Sequence, residues 1–282
     1  PAGCITRYDR GEVVQYMVDH SKCLLQKDES CNACAAACPV SAIETDKAVT
    51  PLTITGSSAL IAAGHTPFDP AGKPRYGFGR SENVITGAEA EEILSREPFL
   101  NLSDGTPAKS IAFLQCVGSR DPVIGRNYCS AVCCAYALRL ARVLKYRDSE
   151  SDVTVYYIDL QDFDKTFTPF KEELLAEGVH LARGIPFRVD ELADGQLRLS
   201  ITDADGSESV VEHDKVILSV GMGPAEGSSL LAEQFDLTAD SHGFLSSSVA
   251  NVFVTGTCTN PQSIPQCMTG AEAVAQEMGK NT

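Results

Sequence analysis

The sequence predicts an α/β protein built around a Rossmann-like βαβ unit. Three observations carry this. Residues 109–160 read as strand, loop, helix, strand: "KSIAFLQCVG" (109–118), a helix, then "DVTVYYIDL" (152–160). Apolar runs end in glycine at Gly64, Gly118, Gly221 and Gly256, as strands do where a doubly wound sheet meets a ligand. Two helices carry their own start and stop signals. In "TGAEAEEILSREP", Thr86 is the N-cap, Glu89 closes a capping box and Pro98 ends the run. In "IPQCMTGAEAVAQEMG", Pro265 sits in the first turn and Gly279 at the end.

The remaining elements follow in order. "LTITGSSALIAAG" (52–64) reads as a short strand pair, and "HTPFDPAGKPRYGFGRSENV" as a Pro/Gly loop. The helix after residue 130 keeps Ala137, Leu140, Ala141 and Leu144 on one face, with Arg139, Arg142 and Lys145 off it. "FTPFKEELLAEGVHLARG" is helix then strand. "LRLSITDADGSESVVEHDKVILSVG" is a strand, an Asp-Gly turn, a strand, and a buried strand ending at Gly221. The charged run "EHD" (212–214) reads as a solvated turn. "SVANVFVTGTC" is a further buried strand ending at Gly256.

The chain has 282 residues and a formal net charge of -15. That acidity disfavours nucleic acid and anionic membrane as partners and suits a partner with basic patches. No apolar run reaches the roughly 18 residues of a membrane span, so a cytoplasmic protein that does not itself span a membrane is expected. Opening at Pro1 rather than Met, the chain reads as processed or truncated upstream. The five histidines show no ligand spacing.

Of 11 cysteines, eight fall in two tight groups. Clustering in a chain of this size points to metal rather than a disulfide framework. The first group, "KCLLQKDESCNACAAACPVSAI", contains Cys31-x2-Cys34-x3-Cys38-Pro39, most of the ferredoxin run that holds a cubane iron–sulfur cluster. The run lacks its usual first cysteine. The expected ligands are therefore Cys23, Cys31, Cys34 and Cys38, with Cys4 in reserve as the fourth and zinc as the second choice of metal.

The second group has the spacing Cys116-x12-Cys129-x3-Cys133-Cys134. Cys116 ends a buried strand. Cys129 and Cys133, if helical, lie one turn apart on one face. Cys134 lies about 100° round the helix, so it joins the same centre only where the first turn is distorted. Backbone N–H groups at a helix start offset thiolate charge. A dinucleotide-binding unit holds pyrophosphate in this crevice under a G-x-G-x-x-G loop. That fingerprint occurs nowhere in the chain, so a second cluster is expected there instead; buried cysteines acting as small hydrophobes are the alternative.

The stretches "FLQCVGSRD", "YCSAVCCAYALRLARVLK" and "HTPFDPAGKPRYGFGRSENVIT", with "VILSVGMGP" and "NVFVTGTC…IPQCMTGAEAVA", resemble the A subunit of heterodisulfide reductase and its relatives, across about residues 50–280. The resemblance implies a thioredoxin-reductase-like two-domain (Rossmann-like) architecture carrying FAD, a cubane on the second cysteine group, and a small ferredoxin-like domain. The implied domains are a ferredoxin-like [4Fe-4S] segment (1–48), partial FAD-domain segments (49–106 and 216–282) and an NAD-domain-like βαβ domain carrying a [4Fe-4S] cluster (107–215). The first part of the FAD domain is missing from this sequence. Either the chain is a fragment, or another polypeptide completes the site, or flavin does not bind.

If flavin binds, the resemblance places Gly64, Gly221, Gly256, Thr257 and Cys258 beside it. The N-terminus of the last helix (Ile264, Pro265, Gln266) would then point at the ring and favour its anionic reduced form. Gln262 stands where the family pattern leads one to expect a lysine nearby. Cys258 and Cys267 are candidate redox thiols, with inert buried cysteine as the alternative.

The function implied is an iron–sulfur flavoprotein subunit relaying electrons between FAD and two [4Fe-4S] clusters in a heterodisulfide-reductase-like complex of anaerobic metabolism, with flavin-based bifurcation as one form of that chemistry. Its partners would be B- and C-like subunits, quinone-linked oxidoreductases or ferredoxin, and a homodimer stays open. A non-catalytic iron–sulfur scaffold without flavin is the alternative. A stand-alone NAD(P)H reductase is a third, disfavoured by the missing phosphate loop.

Overall fold

The structure, a computed structural model, describes residues 3–10, 13–19, 22–26, 30–43, 53–161 and 166–280. It divides into two compact units, Pro1–Thr55 and Gly56–Thr282.

In the first unit, strands β1 (Ile5–Arg10) and β2 (Val13–Val18) form an antiparallel hairpin with Ile5 opposite Val18. The Asp19 N–H donates to the Cys4 carbonyl at 2.7 Å and closes its open end. A 3-10 turn (Leu24–Gln26) and a five-residue helix, α1 (Ala33–Ala37), follow. The helix stops at Cys38, whose ψ of 111° is extended. Pro39 enforces this, because a residue before proline is driven out of the helical region.

The second unit begins with β3 (Ala59–Ile61), β4 (His65–Pro67), β5 (Val84–Thr86) and α2 (Gly87–Arg96). The Thr86/Glu89 capping box is formed, with Thr86 Oγ1 accepting from the Glu89 N–H and Glu89 Oε2 accepting from the Thr86 N–H. Next come β6 (Ser110–Val117), α3 (Cys133–Arg147), β7 (Asp152–Tyr157), α4 (Phe167–Ala176), β8 (Val179–Glu191), β9 (Leu197–Asp203), β10 (Glu208–His213) and β11 (Lys215–Val220). The chain ends with β12 (Met222–Pro224), α5 (Ser228–Phe235), β13 (Thr238–Ala239), β14 (Leu245–Ser246), β15 (Val252–Val254) and α6 (Ile264–Lys280).

The fold is a Rossmann-like α/β arrangement. A seven-stranded sheet runs in the order β10-β9-β8-β7-β6-β11-β5. From β8 to β5 every pair is parallel, while β8, β9 and β10 form an antiparallel meander. Parallel strands need both faces covered, and β6 is buried almost throughout. On one face Ile111 and Phe113 pack with Ala137, Leu140, Ala141 and Leu144 of α3, the face expected from the sequence. On the other, Ala112, Leu114 and Val117 pack with Tyr76, Leu197 and Leu199. A smaller core gathers Ile61, Leu237 and Leu245.

Several expectations are corrected. Within 52–64 there is no strand pair among the described residues; β3 pairs in parallel with the distant β15, and β4 pairs antiparallel with β12. Strand β15 is half-buried, not buried. "EHD" is no solvated turn. His213 is buried and hydrogen-bonds Ser110 Oγ (2.8 Å) and Tyr156 Oη (2.9 Å), and Asp214 accepts from the Lys109 and Ser110 N–H groups. Among the described residues no helix is long and apolar enough to cross a membrane.

Candidate metal centres

The second cysteine group lies at the carboxyl ends of β6, β7 and β11, where doubly wound sheets bind ligands. A bulge sets it up. Leu218 pairs with Leu114 and Val220 with Val117, so Gln115 and Cys116 together oppose Ser219 alone. Bulges re-aim side chains, and here the bulged residue is Cys116, held at φ 61°. A non-glycine residue with positive φ is uncommon and concentrates at functional sites.

The long spacer between Cys116 and Cys129 folds into a compact turn. Arg120 N–H donates to the Tyr128 carbonyl, and Asp121 and Arg126 bridge each other across a 3-10 turn (Pro122–Ile124). The chain thus returns to the strand end with Cys129. Ala131 then takes φ 61°, and its N–H donates to Cys129 Sγ at 3.4 Å. Helix α3 begins only at Cys133. Cys129 is therefore not one helical turn before Cys133, as its spacing suggested; it sits in the distorted approach that lets Cys134 join the group.

The thiols interact. Hydrogen bonds to Cys116 and Cys134, and burial, push the Cys133 thiol up. The same Cys133 contact lowers Cys116 and pulls Cys134 down to about 7. Burial raises Cys129. Cys116 and Cys134 are thereby favoured toward the thiolate form that binds metal. Arg120, paired to Asp159 at 2.6 Å, lies within electrostatic reach of Cys116, Cys129 and Cys134.

The niche is closed by packing. Gly118 has φ 79° and lies directly against Phe68, so that a methyl group there would overlap the ring. Arg126 lies over the Phe68 ring, its guanidinium 5.0 Å from the centroid. Lys73 and Asp121 form a buried ion pair tying the Pro/Gly loop to the cysteine loop. Gly221, expected beside flavin, instead packs on this loop; a Cβ there would meet Ser130 Oγ at 2.5 Å.

Gln115 and Ser119 present buried polar side-chain atoms without a hydrogen-bond partner, while the Tyr136 hydroxyl and Ser219 meet each other. Each such atom costs about 1–3 kcal/mol unless something satisfies it. Gln115 and Ser219 face each other across the bulge, and the Tyr136 hydroxyl feels Cys133 and Cys134. Four thiols with the Tyr136 hydroxyl beside Cys133 and Cys134 fit a cubane, whose sulfurs accept hydrogen bonds. Sequence reading missed these polar residues, although a glutamine in the apolar run "SIAFLQCV" was a visible signal.

In the first unit, Cys4, Cys23, Cys31 and Cys34 line one cavity of about 300 Å³ that is otherwise apolar. Cys38 is not among its walls. The Cys38 thiol accepts from the Ala42 N–H at 3.3 Å, and the N–H groups of Ala42 and Val40 lower it. Among the described residues, no three His, Cys, Asp or Glu side chains close on a point as around a single ion. A cubane instead spreads its thiolates around a four-iron core.

The flavin positions are less coherent. Gly256, Thr257 and Cys258 form a 3-10 turn after β15, and Thr257 Oγ1 contacts His65 Nδ1 beside Gly64. Pro265 and Gln266 line an open groove, and Ile264 is exposed. Yet Cys258 is fully buried, its Sγ donating to the Thr255 carbonyl at 3.1 Å, and Gln266 Oε1 is taken up by the Ser263 N–H. Gly221 packs on the cysteine loop, whereas Gly64 and Gly256–Cys258 are brought together by the His65–Thr257 contact.

No family model matches the chain. It is 34% identical over 268 residues to the A subunit of the H2:CoB–CoM heterodisulfide, ferredoxin reductase of Methanothermobacter marburgensis, covering 88% of this chain and 40% of that one. The second iron–sulfur A subunit of CoB–CoM heterodisulfide reductase in Methanopyrus kandleri is 31% identical over 236 residues, covering 77% and 36%. The A subunit of the ferredoxin/F420H2-dependent CoB–CoM heterodisulfide reductase of Methanosarcina acetivorans is 30% identical over 281 residues, covering 93% and 34%. The chain thus spans two-fifths or less of each of these relatives. Among solved structures, LpdA from Mycobacterium tuberculosis superposes with a TM-score of 0.47 and 18% identity, covering 78% of this chain and 42% of that one. With relatives at 30% to 34% identity, each matching more than three quarters of this sequence, the chain belongs to the family of heterodisulfide reductase A subunits.

Proposed function

We propose that the chain is an electron-relaying part of an oxidoreductase subunit, carrying two cubane iron–sulfur clusters. One is held by Cys116, Cys129, Cys133 and Cys134, the other by cysteines of the first unit. The observation that carries the reading is the bulge at Cys116, which brings a strand-end thiol to those before and within the start of α3. Bound there, a cluster would supply one-electron transfer.

The chain's own residues do the rest. The thiolates are ligands and not nucleophiles. Phe68 packs on Gly118 at the end of the cysteine-bearing strand, and the Arg120 guanidinium offsets thiolate charge. Electrons would pass to other subunits and to ferredoxin, a reading supported by the relatives' names, which describe subunits of ferredoxin-linked reductases. A flavin at the edge formed by Gly64 and Gly256–Cys258 would exchange electrons with these clusters, a reading that rests on the family resemblance.

Anaerobic reconstitution with iron and sulfide tests it. About eight irons per chain are expected, with both clusters reducible by dithionite as followed by electron paramagnetic resonance. Zinc stoichiometry, or iron that never reduces over the accessible range, would overturn the relay; the latter would leave a structural scaffold.

A further inference from the structure

We propose that Cys4, and not Cys38, completes the thiolate set with Cys23, Cys31 and Cys34, so that these four hold the iron–sulfur cluster of the first unit. This rests on the cluster-binding reading above and deepens it.

The β1–β2 hairpin does the assembling. Its register puts Ile5 opposite Val18, so Cys4 falls opposite Asp19, and the 2.7 Å bond between them pins it there. A turn closed by the Lys22 N–H on the Asp19 carbonyl then carries the chain to Cys23. The Cys4 thiol lies beside that of Cys23 and within electrostatic reach of Cys34. Cys31 and Cys34 enter from either side of the start of α1. Gly3, Ile5, Leu24, Leu25 and Ala33 form the remaining walls, so the cavity offers four sulfurs and otherwise apolar surface.

Cys38 is excluded by backbone geometry. Cys34 and Cys38 are four residues apart, a spacing that shares a face only on a continuous helix. Pro39 ends α1 at Ala37 and turns Cys38 extended. Its sulfur is then held by the Ala42 N–H on the far side of the proline.

The full chain, reconstituted anaerobically, is treated with iodoacetamide under native conditions and mapped by peptide mass spectrometry. Cys38 should be alkylated while Cys4, Cys23, Cys31 and Cys34 are protected; this footprint needs no variant to fold. In parallel, Cys4→Ser should lose half of the bound iron, from about eight to about four atoms, while Cys38→Ser keeps it all. Protection of Cys38, or loss of iron in Cys38→Ser, overturns the assignment while leaving the two-cluster reading intact. Alkylation of all five cysteines in an unmutated chain that binds only about four irons overturns both.

Discussion

Replacing Gln115 by leucine separates two states of the bulge site. The Gln115 side chain is 8% exposed, and neither its amide nitrogen nor its oxygen has a partner. Leucine keeps most of the volume and removes the polar atoms. An unsatisfied buried polar group costs about 1–3 kcal/mol, so the iron-free chain should gain about 2 kcal/mol in urea unfolding. In the loaded chain the substitution works in the opposite direction. An N–H aimed at cluster sulfur stabilises the more negative, reduced state, so its loss should lower the reduction potential. A tenfold change in the redox equilibrium corresponds to about 59 mV for one electron, and a shift of about that size is expected. Urea melts of the iron-free variant and a potentiometric titration of the loaded one, followed by electron paramagnetic resonance, read both effects. An iron-free chain that loses stability would show that the amide already has a partner. An unchanged potential would show that it does not reach the cluster.

Two further outcomes follow from packing and burial. Gly118→Ala must take a left-handed φ, costing about 1–2 kcal/mol, and push into the Phe68 ring, costing about 1–3 kcal/mol more. The chain should lose about 2–5 kcal/mol in urea and release iron from the second site faster; a loss under about 0.5 kcal/mol would refute the close packing. Burial lowers the His213 pKa below its ordinary 6.5, so the folded state prefers the neutral ring. The unfolded chain then binds more protons in acid, and this contribution is full above about pH 6.5 and falls away as the pH drops below it. His213→Gln should flatten the stability profile between about pH 7 and 5 relative to the unmutated chain; identical slopes would refute the buried neutral state.

The βαβ unit was legible because its signals are local. Periodicity marked the buried face of α3, and Thr86 with Glu89 marked the start of α2. The partners of short strands were not legible. Nothing near Ala59–Ile61 indicates that it pairs with Val252–Val254, because such pairing is decided by long-range closure of the chain. "EHD" misled for a similar reason: a charged triplet is ordinarily solvated, and only the distant Ser110 and Tyr156 make His213 a buried, hydrogen-bonded residue.

The amino-acid sequence alone determined the α/β class, the family resemblance and the two cysteine groups, since spacing and residue type are written along the chain. Tertiary structure alone decided which thiols meet. Whether Cys4 faces Cys23 depends on the register of a hairpin, whether Cys38 turns away depends on the backbone before a proline, and whether Cys116 faces Cys133 depends on one extra residue in a strand. Each is a matter of direction in space, and residue order carries direction only after the chain has folded.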